Sequence, residues 1–326
     1  MKIEAKPYHL EFKRPFRLAV GSRSHTDVVY IHLSANGYSS VGEASLPPYL
    51  GESISSVLAF ANAVYVDELN PENLSESKDY LDGMHPGHFA AKAGIEMALV
   101  SLAAKMKGQS IGELLGITDR PIETSYTIGI SDEAELNEKL EEASPFKILK
   151  LKLGSSDDLA LVRTFRQMTN KPFSVDVNQG WTDIATCLPI VRLLEEMNCL
   201  FIEQPFQATN YSLHAQLKAE TVLPIFADES IKRMADLREH HEAFDGVVVK
   251  LMKSTGPLEA IEMLHEAKKL GLKTGMGCMA ESSVSVATAR AFAPLADYAD
   301  LDGPFLMKND PFGMVRYEQG RVELTE

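Results

Sequence analysis

From about residue 121 to residue 304 the chain repeats one pattern, a short apolar run followed by an amphipathic segment. The runs are Ile122–Gly129, Ile148–Gly154, Phe173–Gly180, Leu200–Pro205, Leu223–Ser230, Gly246–Lys253, Lys273–Met279 and Asp297–Gly303. Segments such as Asp158–Met168, Ile184–Met197 and Leu258–Leu270 lie between them. A period of roughly 25 residues suits one strand, one helix and short connections. Eight such runs predict a parallel β/α barrel. An open dinucleotide-binding sheet would carry GxGxxG after its first strand, and none is present there; nor is a GxxxxGK[ST] loop.

The residues before the barrel read differently. Ile3–Phe12, Thr26–Leu33 and Tyr38–Glu43 predict strands, with Asn36-Gly37 as a hairpin turn. Helical periodicity follows at about 52–67 and 88–107; in the second, Ala91, Ile95, Ala98, Leu99 and Leu102 form a stripe. Two stretches have loop chemistry: Ala19–Ser24, and Ser45–Glu52 with its Pro47-Pro48 pair and Gly51. The expected fold is α/β, a modified parallel β/α barrel over 121–304 with an α+β capping domain over 1–120. The tail, 305–326, contains a hairpin around Gln319-Gly320 and is expected to return to the cap.

Composition narrows the function. Of 326 residues, 45% are hydrophobic and 24% charged, which excludes a disordered chain. The net charge of −14 offers no footprint for a phosphate backbone or an anionic membrane, so neither nucleic acid nor membrane is an expected partner. Cys187, Cys199 and Cys278 are odd in number and widely spaced, as in a reducing compartment. Met1–Lys6 has no apolar signal region, and Phe89–Ala104 is too short and too charged to span a bilayer. A cytoplasmic protein is expected, with the oligomeric state left open between monomer and homo-oligomer.

Buried parallel strands should be apolar throughout. Five consecutive runs here carry charges near their C-terminal ends: Lys150 and Lys152, Asp176, Glu203, Asp228, and Lys250. Isolated buried charges are costly, so these must pair or hold a metal, and a barrel collects its catalytic groups at that end. Asp176, Glu203 and Asp228 come from successive strands about 4.8 Å apart and can converge on one cation. All-oxygen ligation favours Mg²⁺. Lys152 and Lys250 would face each other across a closed barrel. A substrate carboxylate on Mg²⁺ has its α-proton acidified through an enediolate, and two opposed lysines then give 1,1-proton transfer. Lys150 would help keep Lys152 neutral, since like charges lower a lysine pKa.

The bland reading of the trio is a network of ion pairs with the lysines. Asn178 is expected behind the metal ligands or in the turn before Gly180, and Lys253 as a solvated strand end. Glu229 points to the opposite face as a structural partner, Cys278 is an inert buried thiol, and Trp181 packs behind the mouth. His25, His85, His88, His240 and His241 are expected in loops or polar helices without ligand spacing.

Lys150-Leu151-Lys152, the carboxylate trio, Ala227-Asp228-Glu229-Ser230 and Lys250-Leu251-Met252-Lys253 resemble the enolase superfamily, in its muconate-lactonising-enzyme-like subgroup. The resemblance covers nearly the whole chain. It implies Lys152 and Lys250 as bases and Asp176, Glu203 and Asp228 as Mg²⁺ ligands. Asp300-Leu301-Asp302 resembles the motif by which dipeptide epimerases hold a substrate ammonium; its bland reading is a barrel-closing turn. Thr127 and Met279 resemble pocket-lining positions. The activity so implied is epimerisation of L-Ala-D/L-Glu, a murein dipeptide, or of a related dipeptide. N-acylamino acid racemase and o-succinylbenzoate synthase are the alternatives within the superfamily. Gly21 stands where the glutamate-binding arginine of such enzymes falls, and Arg23, two residues on, is the candidate replacement; without it an apolar dipeptide is the expected substrate. Pro47-Pro48-Tyr49 would close over the site.

Overall fold

The structure, a computed structural model, describes residues 1–18 and 21–325. Strands β1 (Lys2–Leu18), β2 (Gly21–Ala35) and β3 (Tyr38–Ser45) form an antiparallel sheet. Asn36 and Gly37, at φ 53° and 82°, make the predicted two-residue turn between β2 and β3. Val29, Ile31 and Leu33 face one apolar cluster and Val28 and Tyr30 another, so β2 is covered on both faces from Val28 to Leu33. The predicted loop at 19–24 differs: Gly21–Ser24 belong to β2, and Ala19 and Val20 lie outside the described residues. Pairing across the hairpin continues through Phe16↔Arg23 and Leu18↔Gly21 and overrides the local loop chemistry.

Helices α1 (Ile54–Ala63), α2 (Leu74–Met84), α3 (Phe89–Lys107) and α4 (Ile111–Leu114) follow. The second and fourth escape the periodicity. Helix α3 is buried on every side from Ala90 to Val100 rather than along one stripe, because the cap sheet covers one flank and the barrel the other. Gly42 on β3 allows that approach: a Cβ there would sit 2.0 Å from the Gly94 carbonyl oxygen of α3.

The barrel strands are β4 (Ser125–Ile128), β5 (Ile148–Lys152), β6 (Phe173–Asp176), β7 (Cys199–Glu203), β8 (Ile225–Ala227), β9 (Gly246–Lys250), β10 (Lys273–Gly277) and β11 (Tyr298–Asp300). They form one eight-stranded sheet in sequence order, parallel throughout. Helices α5 (Glu133–Glu142), α6 (Asp158–Met168), α7 (Ile184–Glu196), α8 (Tyr211–Glu220), α9 (Met234–His240), α10 (Pro257–Lys269) and α11 (Ser283–Phe292) connect them. Asp132, Asp183, Asn210 and Ser282 cap four of these helices with side-chain oxygens.

Strands β11 and β4 are the two ends of the ladder. Side chains span their seam: Leu301 N donates to Thr124 Oγ1 at 2.7 Å, Ser125 Oγ to Asp300 Oδ1 at 2.7 Å, and Thr127 N to Asp302 Oδ2 at 2.6 Å. A short helix α12 (Gly303–Leu306) and a hairpin of β12 (Val315–Glu318) and β13 (Arg321–Leu324) end the chain. Met307 bridges Phe12 and Lys308 N donates to Glu11 O, while Arg321 bridges Glu123. Among the described residues, no helix is long and apolar enough to cross a membrane.

Candidate active site

Asp176 closes β6, Glu203 closes β7 and Asp228 follows β8 directly. Asp176 and Glu203 are register partners. All three are buried, and one oxygen from each lies within 4.8 Å of the others. Like charges this close in a low-dielectric interior need cations. Lys150 forms ion pairs with Asp176 at 3.0 Å, Glu203 at 2.8 Å and Asp300 at 2.8 Å, Lys152 with Asp176 at 2.6 Å, and Lys250 with Asp228 at 2.7 Å. Burial alone would raise the acids. Lys150 and Lys152 instead hold Asp176 well below the usual range, and Lys250 and Lys253 do the same for Asp228. Glu203 goes the other way: burial and the Asp176 charge push it up to about 8.

Lys150 and Lys152 alternate to one face of β5. Burial opposes charge on Lys150, but Asp176, Asp300 and Glu203 around it win and hold its pKa well above the ordinary value. Its charge is thus enclosed by carboxylates. On Lys250, Asp228 likewise outweighs burial. Strands β5 and β9 are four places apart in the eight-stranded order, which sets Lys152 and Lys250 on opposite sides.

Both lysines line one cavity of about 90 Å³ at the C-terminal ends of the strands, with Thr127, Asn178, Asp228, Met279, Asp300 and Asp302. A larger cavity, about 300 Å³, opens near the other ends of the strands beside Arg120, Tyr298 and Arg321, but Lys152 and Lys250 do not line it. The cap closes the smaller one with Phe12, Arg23, Pro47 and Tyr49; the Tyr49 hydroxyl meets Met279 Sδ at 2.5 Å. Arg23 is partly buried, which lowers its pKa, and its guanidinium has no hydrogen bond or ion pair among the described residues. Asp302 is buried and pushed up to about 7 by burial and by the Asp300 charge.

Residues 132–326 match the family described as Enolase C-terminal domain-like, and residues 2–116 match the Mandelate racemase / muconate lactonizing enzyme, N-terminal domain. The chain belongs to the enolase superfamily. The superfamily barrel with its antiparallel-strand cap is the fold expected above. An L-Ala-D/L-Glu epimerase of Bacteroides thetaiotaomicron is 37% identical, covering 100% of this chain and 86% of that protein. An L-Ala-D/L-amino acid epimerase of Pedosphaera parvula is 35% identical, covering 100% and 96%. A dipeptide epimerase of Methylococcus capsulatus, solved with Mg and the dipeptide L-Arg-D-Lys, superposes with a TM-score of 0.90 at 30% identity, covering 100% of this chain and 97% of that one. Like these epimerases, this enolase-superfamily chain is an isomerase.

Several expectations need correction. Lys253 is not a solvated strand end. It is buried and donates to Asp228 Oδ1 at 2.6 Å, Asp228 O at 2.5 Å, Val248 O at 2.9 Å and Ile231 O at 3.2 Å. The turn after β9 folds it back under the β8 end. Asp302 has left the strand and stands at the N-cap position of α12. Cys278 is half-buried at the cavity wall rather than fully buried. His25 lies on β2, beside His9 and Asp27 rather than alone. Asn178, in the turn after β6 at φ 44° and at the cavity wall, accepts from Lys152 at 3.1 Å and donates to Asp176 through its backbone and to Glu229 through its side chain. Trp181 packs behind the mouth and donates to Asp158 at 2.9 Å. Gln204 escaped the reading. Buried at φ 40°, it accepts from the backbone N–H of Asp228 and of Ser230 and donates to Ser230 Oγ, tying β7 to the loop that carries Asp228. A long amide between Glu203 and a proline was the available signal.

Proposed function

We propose that the chain epimerises dipeptides of the L-Ala-D/L-Glu type by two-base 1,1-proton transfer, with Mg²⁺ as its cofactor. The observation that carries this is the placement of Lys152 and Lys250 on opposite walls of one cavity, above three converging carboxylates. The donor set fits a hard cation: three buried oxygens converge, and burial and the Asp176 charge push Glu203 toward its protonated form. Asp176, Glu203 and Asp228 would hold the ion. When bound, it supplies positive charge against the charge that develops on the substrate carboxylate as the α-proton leaves.

The chain's own residues do the rest. Lys152 takes the proton from one face of the substrate Cα, and Lys250 returns one to the other; the roles exchange in reverse. Asn178 and Asp176 aim Lys152, and Asp228 aims Lys250. Asp300 and Asp302, at the end of β11 and just beyond it, receive the substrate ammonium. Arg23, whose guanidinium has no hydrogen bond or ion pair among the described residues, suits an acidic side chain at the mouth, which supports glutamate over an apolar residue. We place the boundary between capping domain and barrel near residue 120, with the last residues, from about 305, running along both.

The test is α-proton exchange in D₂O followed by NMR, from each epimer of L-Ala-Glu. Lys152→Ala and Lys250→Ala should each lose about 10²–10⁴-fold in epimerisation, the range for a general base. Each should keep exchange of one epimer only, and of opposite epimers. Near-normal turnover in either variant, or loss of exchange from both epimers in both, would refute the two-base assignment.

A further inference from the structure

The end of the cap sheet nearest the β1–β2 connection, beyond the cover on either face, carries a second group of metal-ligating side chains that the barrel chemistry does not use. Antiparallel pairing sets His9 opposite Asp27 and Glu11 opposite His25, so the four project from one face. On the other face Leu10, Phe12 and Val28 are buried in an apolar cluster, which holds the backbone in place. His9 Nδ1 and Asp27 Oδ1 are 2.8 Å apart, and the His9 and His25 rings lie over each other with centroids 4.0 Å apart and planes at 30°. One ligand atom from each of His9, His25 and Asp27 lies within 4.8 Å of the other two. Glu11, the fourth, pairs instead with Lys308 at 2.9 Å.

We propose that His9, His25 and Asp27 form a surface site for a borderline divalent cation of the zinc class. Imidazole selects Zn²⁺, Ni²⁺ or Cu²⁺, whereas the all-oxygen trio in the barrel suits a hard ion, so the two sites sort metals by ligand chemistry. Three protein ligands with an open fourth position is an established zinc arrangement. Zinc–ligand bonds of about 2.0–2.1 Å put tetrahedral donors roughly 3.3 Å apart, so the stacked rings must slide off each other and their donors shift by at most roughly 1.5 Å. His9 and His25 are both exposed, so they are free to do so. The ligands sit on paired strands within the last three regular pairs before the register shifts between Glu11 and Phe16. Arg23, which lines the active-site cavity, is two residues from His25 on the same strand. A bound ion therefore ties β1 to β2 just below the strand end that presents Arg23.

Full-length protein saturated with Mg²⁺ is titrated with Zn²⁺ by calorimetry, beside Glu203→Gln as the control for the barrel site. One equivalent of zinc should bind to the wild type and to Glu203→Gln alike. His9→Gln and His25→Gln should each weaken it at least tenfold, and the double variant should abolish it; both rings are exposed, so these variants keep the fold. Co²⁺ should give a visible absorption band that the double variant lacks. Absence of zinc binding in the wild type, an unchanged isotherm in the double variant, or loss of the zinc equivalent in Glu203→Gln would overturn the site.

Discussion

Asp302 and Lys253 show how much one buried side chain decides here. Asp302 takes one backbone N–H from Thr127 and faces the cavity beside Asp300. A substrate ammonium there would gain a hydrogen bond to a charged group, worth about 1.5–3 kcal/mol. Asp302→Asn should therefore cost roughly 10- to 150-fold in kcat/KM for L-Ala-L-Glu. N-acetyl-L-Ala-L-Glu, which has no ammonium, should be a poor substrate for wild type and variant alike. Equal handling of both compounds by the wild type would move the reading to an N-acylamino acid racemase. Lys253 makes a different prediction. It is enclosed and bonded to Asp228 and three carbonyls, so Lys253→Ala leaves a buried carboxylate without one of its two lysines. The loss should be about 3–5 kcal/mol in urea unfolding. It should also raise the Mg²⁺ concentration needed for half-maximal activity, since the loosened residue is a proposed ligand.

Two elements of the cap are joined to the barrel through carboxylates at helix N-termini. Glu43 on β3 accepts from Ser282 N at 2.8 Å, Ser282 Oγ at 2.6 Å and Ser285 N at 3.3 Å, at the start of α11. Glu96 on α3 accepts from Leu258 N at 2.7 Å, at the start of α10. Burial pushes each up to about 8. The folded chain therefore holds protons that the unfolded chain releases near pH 4.5. That contribution is full below about pH 4.5 and falls away as pH rises toward 8. Urea midpoints measured at pH 5, 6.5 and 8 should decline across the series. Glu43→Gln and Glu96→Gln should each flatten the decline, because a glutamine has no proton to lose. Parallel curves for wild type and variants would remove this account of how the cap is held.

At the scale of the whole molecule, the barrel gathers Asp176, Glu203 and Asp228 at one end of its strands, where the proposed cation would bind. Mg²⁺ that binds the folded chain alone should stabilise it by about 2.7 kcal/mol at a hundredfold excess over Kd. The thermal midpoint should rise with Mg²⁺, fall back with EDTA, and be insensitive to both in Glu203→Gln. Much of this architecture is readable along the chain. The alternation of apolar runs with helical stripes specifies the parallel barrel, because burial on both strand faces leaves no other pattern. The charges at Lys150, Lys152, Asp176, Glu203, Asp228 and Lys250 stand out for the same reason, since each breaks a run that should be apolar. What the pattern did not reveal depends on contacts between distant segments. Gln204 and Lys253 have meaning only because a strained turn aims one and a folded-back turn buries the other. Asp300 and Asp302 meet Ser125 and Thr127 only where the last strand comes round to the first. His9 joins His25 and Asp27 only through the register of a long hairpin. Local periodicity records which side of an element is buried; it carries no information about which remote residue arrives opposite, and that is settled by closure of the sheet and pairing of its strands.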